Sequence, residues 1–75
     1  MKPNVKLDWK MWDLGYVSVQ EASERTSLPS SSLYDKMDQG VIGETRVGPR
    51  RYIEIESLLE WGGDAIRSFW NASLK

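Results

Sequence analysis

Apolar residues recur at helical spacing in the first half of the chain and alternate in the second. Val19, Ala22 and Thr26 fall three and four residues apart, with Gln20, Glu24 and Arg25 between them facing water. That pattern predicts a helix of two to three turns with one buried stripe. Ser18, with Glu21 three residues on, makes a capping box: the serine oxygen accepts an orphan amide, and the glutamate reaches back to the serine amide. Ser27-Leu28-Pro29 stops the helix, because proline disfavours the α conformation of the residue before it. Ser30 is then a second N-cap, opening a second short helix in "SSLYDKMDQ". Leu33 and Met37 turn inward as an i, i+4 pair, leaving Ser31, Ser32, Asp35, Lys36 and Gln39 on the other faces. Gly40 is the expected left-handed C-terminal residue.

Beyond Gly40 the period changes. "VIGETRVG" reads as extended, Gly48-Pro49 turns the chain, and "RRYIEIE" runs back, which predicts a two-stranded hairpin. Ile53 and Ile55 share the inward face, with Tyr52 and Glu54 opposite; a one-residue slip would reverse this. Ser57 caps "LLEW", a third helix that returns Leu58, Leu59 and Trp61 to the core. Gly62-Gly63 interrupts it, and Asp64 caps a last turn carrying Ile66, Phe69 and Trp70. Residues 1–15 stay open between helix (Leu7, Met11, Leu14) and strand (Leu7, Trp9, Met11), with Gly15 as the end of either. No repeat or low-complexity run appears, so the organisation is an arm at 1–15, a domain at 16–61 and a helical tail at 62–75.

Composition narrows the chemistry. The 75 residues carry net charge −1 and contain neither cysteine nor histidine. Disulfides, Cys/His metal sites and histidine-based catalysis are thereby excluded. Eleven acidic residues remain, scattered singly in a chain too short to wall off a large substrate pocket. The expectation is a protein with no catalysis, no cofactor and no metal. The N-terminus has no uninterrupted apolar stretch of signal-peptide type, and nothing approaches a membrane-spanning length. The expected setting is soluble and cytoplasmic, without membrane contact. Four tryptophans are available to build a small core. Trp61 and Trp12 are expected inside it, whereas Trp9 and Trp70 fit either the core or an apolar association patch.

Two short helices joined by a tight turn, the second opening with serines, have the layout of a helix-turn-helix. With the hairpin behind them, residues 16–61 resemble the winged helix-turn-helix of phage and plasmid excisionases and their MerR-type relatives. The resemblance rests on "SVQEAS", "SSLYDKMDQG", "RVGPRRY" and "LLEW" in that order. It implies an α+β, mainly helical fold: a small winged helix-turn-helix with a two-stranded wing and a closing C-terminal helix. It also implies a recognition helix in the major groove, with Ser31, Ser32, Asp35 and Lys36 facing bases, and Arg46, Arg50 and Arg51 meeting the DNA backbone. Tyr34 would be either a core edge or a phosphate donor. Asp35 departs from the pattern, since relatives often carry a basic residue there. A carboxylate repels phosphate but accepts from a cytosine amino group, so it narrows sequence choice or weakens binding.

The function implied is that of an excisionase, a recombination directionality factor. Copies bind adjacent duplex sites, bend them, and favour excision by a tyrosine or serine integrase, with nucleoid association. Ile66, Phe69 and Trp70 are candidates for contact with a neighbouring copy or with integrase. A phage or prophage transcriptional regulator is the alternative on the same fold, and a protein-interaction module the alternative from another class. The arginines admit a plainer reading as charges that protect a sheet edge. Counterion release nonetheless rewards clustered cations whatever the net charge. On this reading Glu21, Glu24, Glu56 and Glu60 lie on helices away from the contact face.

Overall fold

A computed structural model describes residues 5–74, so residues 1–4 of the arm and Lys75 of the tail lie outside the described residues. The described residues are α+β and mainly helical, with four helices and one three-stranded antiparallel sheet. The helices are α1 (Val5–Asp13), α2 (Val19–Thr26), α3 (Ser30–Asp38) and α4 (Ile55–Ser73), and the strands β1 (Tyr16–Ser18), β2 (Glu44–Val47) and β3 (Arg50–Glu54). The sheet order is β1-β3-β2.

The choice between helix and strand at the N-terminus falls to helix. Asp8, Met11 and Trp12 define its inward side, with Met11 buried, while Leu14 is exposed beyond the helix end. Gly15, at φ 91°, turns the chain into β1. This strand is absent from the sequence expectation. Three residues between two helices give no alternation to read, and pairing alone makes it a strand: Tyr16, Val17 and Ser18 lie opposite Glu54, Ile53 and Tyr52.

The Ser18 cap forms as expected, its hydroxyl accepting from the Glu21 amide at 3.2 Å. The Glu21 carboxylate points along the helix instead, 3.6 Å from Arg25. Two other expected caps are corrected. The N-cap of α3 is Pro29, without a side-chain bond, and Ser30 is the first helical residue. Likewise α4 begins at Ile55, and Ser57 sits inside its first turn, accepting from the Gly43 amide at 2.8 Å. Ser57 thus anchors the lead into β2 to α4.

Val17, Val19, Ala22, Leu33, Met37, Ile42, Ile53, Leu58 and Trp70 form the main core. Burying each large apolar side chain contributes roughly 1.5–3 kcal/mol. Ile53 faces this core as expected. Ile55 has already left the strand for α4 and is half-buried. Tyr52, expected on the open face, is fully buried, because its hydroxyl meets Asp8 of α1. Trp61, expected in the core, is 36% exposed. The break after it is real: Gly63 has φ 69° and ψ −160°, which kinks α4 and redirects the tail so that Trp70 becomes the buried tryptophan.

Candidate nucleic-acid interface

The hairpin turns on two residues, Gly48 and Pro49, with Val47 opposite Arg50 and Arg46 opposite Arg51. Gly48 has φ 60°, which together with the fixed φ of Pro49 fits the II′ turn that matches strand twist. Strand geometry then separates the arginines. Successive side chains point to opposite faces, so Arg46 and Arg51 share one side and Arg50 takes the other.

Each arginine meets acids on its own side. Arg50 reaches α1, donating from Nη2 to Asp8 Oδ1 at 3.1 Å and from Nε to the Tyr52 hydroxyl at 3.0 Å. The Tyr52 hydroxyl donates in turn to the same Asp8 oxygen at 2.8 Å. Burial is the main cause that holds the Tyr52 phenol above its ordinary pKa, and the bond to Asp8 adds to it. Arg51 reaches α3, donating from Nη2 to Asp38 at 2.8 Å and to Glu44 at 2.5 Å, with its guanidinium 5.2 Å over the Tyr34 ring. These bonds, Glu44 first, raise the Arg51 pKa further, and the bond to Tyr52 does the same for Arg50. Arg46 Nε lies 3.5 Å from Glu44, but its side chain is 65% exposed, against 17% for Arg50 and 19% for Arg51.

On α3, Ser31, Ser32, Tyr34 and Asp35 are exposed and Lys36 is half-buried. Asp35 accepts from the Gln39 side chain at 2.9 Å, one helical turn on. This polar face and the Arg46–Arg51 side of the hairpin meet at the Tyr34–Arg51 contact. Arg50 faces the other way.

The three tail candidates do not form one patch. Trp70 is buried, Ile66 is half-buried and Phe69 is 53% exposed. Trp70 is engaged by a group that the sequence pattern assigned to water. The Arg25 guanidinium lies 5.1 Å from the Trp12 ring centre and 5.7 Å from that of Trp70, and its Nη1 donates to Ser73. It thus caps the C-terminus of α4, where cations are favoured. A half-open pocket of about 400 Å³ lies beside it, lined by Asp8, Trp9, Trp12, Glu21 and Arg25. Its two carboxylates are engaged by Arg50 and Arg25.

The acids that matter to the hairpin, Asp8, Asp38 and Glu44, are not among those singled out in the sequence. One of them was readable. With the turn at Gly48-Pro49, Glu44 stands two residues from Arg46 on the same face and diagonal to Arg51, within reach of a cross-strand pair. Asp8 and Asp38 arrive by tertiary packing and leave no local signal. Among the described residues, no helix is long and apolar enough to cross a membrane. No family model matches this chain, and no curated protein or solved structure matches it.

Proposed function

We propose that this chain is a non-enzymatic DNA-binding protein in which α2 and α3 form a helix-turn-helix and the β2–β3 hairpin its wing. The observation that carries the reading is the Tyr34–Arg51 contact, which makes the exposed polar face of α3 continuous with the arginine side of the hairpin. In this reading α3 enters the major groove, presenting Ser31, Ser32 and Asp35 with Lys36 at the margin. Arg46 meets phosphate first, being the most exposed of the three arginines. Few side chains reach bases, so specificity comes partly from DNA deformability and partly from neighbouring copies. That combination suits an excisionase that bends duplex beside a recombination core and assists an integrase. The same binding beside a promoter makes the protein a phage regulator.

The test is fluorescence anisotropy on a random duplex of about 30 base pairs across a salt series. Contact with three to five phosphates gives a log–log slope of roughly −3 to −4 per bound monomer. A folded protein that does not bind at low salt overturns the reading. A second reading, a protein-interaction module, is favoured by the exposure of Trp9 and Phe69. It predicts an association that survives charge reversal at Arg46, whose side chain is 65% exposed.

A further inference from the structure

The arginines offered to DNA are already holding anions. Asp8 of α1 holds Arg50, while Asp38, the last residue of α3, and Glu44, the first of β2, hold Arg51. Glu44 also faces Arg46. Carboxylate and phosphate compete for the same guanidinium donors, and both suit its planar fork. The Asp38 and Glu44 carboxylates take the same nitrogen of Arg51, Nη2. Four-fifths of its side chain is covered, and its Nε is buried without an acceptor. A phosphate that takes Nη2 must displace one of these carboxylates.

We propose that Asp38 and Glu44 are internal stand-ins for phosphate that hold Arg51 in reserve, with Asp8 doing the same for Arg50 on the opposite side of the hairpin. Resting on the DNA-binding reading above, this makes engagement an exchange of carboxylate for phosphate. The acids are positioning residues. They lower affinity for any polyanion. The acidic composition of the chain thereby acquires a role in the site: some of its carboxylates oppose indiscriminate binding.

The experiment measures duplex affinity at fixed salt for wild type, Asp38→Asn and Glu44→Gln. Glu24→Gln and Glu60→Gln are controls that remove one exposed negative charge elsewhere, on α2 and α4. Each clamp variant leaves Arg51 one carboxylate, and circular dichroism verifies the fold. Loss of a partly exposed ion pair predicts binding tighter by about two- to fivefold in the clamp variants. The controls are expected to change by less than about twofold, through the long-range field alone. A clamp variant that binds duplex where wild type does not gives the same support in a stronger form. Clamp variants that match the controls, beside a wild type that binds, overturn the exchange and leave the DNA-binding reading standing. No binding by any of the five proteins overturns both.

Discussion

The indole of Trp12 lies on that of Trp70, with ring centres 5.7 Å apart and planes within 10° of parallel. The first helix is thereby fastened to the last, and Arg25 of α2 covers both rings. A small chain without disulfides has few other ways to hold its ends.

Trp70→Ala removes a buried aromatic residue and is expected to cost about 3–5 kcal/mol, read from urea unfolding. Trp12→Ala costs less, since Trp12 is half-buried. A double-mutant cycle between them should return a coupling of about 0.5–1.5 kcal/mol. A coupling near zero means that the rings share a site without supporting each other.

Tyr52 gives the fold an alkaline limit. Its folded-state pKa is raised, by burial first and then by the bond to Asp8. The fold therefore favours the neutral phenol. The stability this brings is present below the unfolded value, near 10, and is lost as pH rises through the folded one. Thermal melts from pH 8 upward should show wild type falling more steeply above about pH 10 than Tyr52→Phe. Equal slopes would assign the alkaline loss to other groups.

Gly62 and Gly63 make the kink in α4 for different reasons. A Cβ on Gly62 would stand 2.4 Å from the Cβ of Ile66, whereas a Cβ on Gly63 meets nothing within 4 Å but sits at φ 69°. Gly62→Ala is expected to cost roughly 1–3 kcal/mol through overpacking. Gly63→Ala should cost about 1–3 kcal/mol through backbone strain, since φ 69° with ψ −160° is a region essentially reserved to glycine. Denaturant midpoints check both, and a neutral Gly62→Ala would mean that the part of α4 after the kink can shift freely against the part before it.

The arginines separate by their surroundings. Arg46→Ala should leave stability within about 0.5 kcal/mol, since its side chain is 65% exposed. In the DNA-binding reading it also weakens duplex affinity and reduces the salt slope by about one. Arg50→Ala deprives Asp8 and the Tyr52 hydroxyl of a half-buried partner, and should cost roughly 1–2 kcal/mol. A melt for each, beside the anisotropy titration, separates a missing phosphate bond from a loosened fold.

What the sequence determined by itself was local. Ser18 capped α2, Pro29 parted α2 from α3, Gly48-Pro49 set the hairpin turn, and the inward places of Val19, Ala22, Leu33, Met37, Ile53 and Leu58 followed from spacing. Each of these depends on residues within one turn or one strand pair, where periodicity and φ/ψ preferences act directly. The tertiary structure decided the rest. β1 exists because β3 was there to pair with it. Tyr52 is buried because α1 folds over the sheet face that alternation left open. Trp70 displaced Trp61 from the core because the kink at Gly63 turned the tail. The acids beside Arg50 and Arg51 follow the same rule. Asp8 stands 42 residues from Arg50 and Asp38 stands 13 from Arg51. Charges attract across space, and no pattern along the chain records which of eleven acids will end beside which arginine.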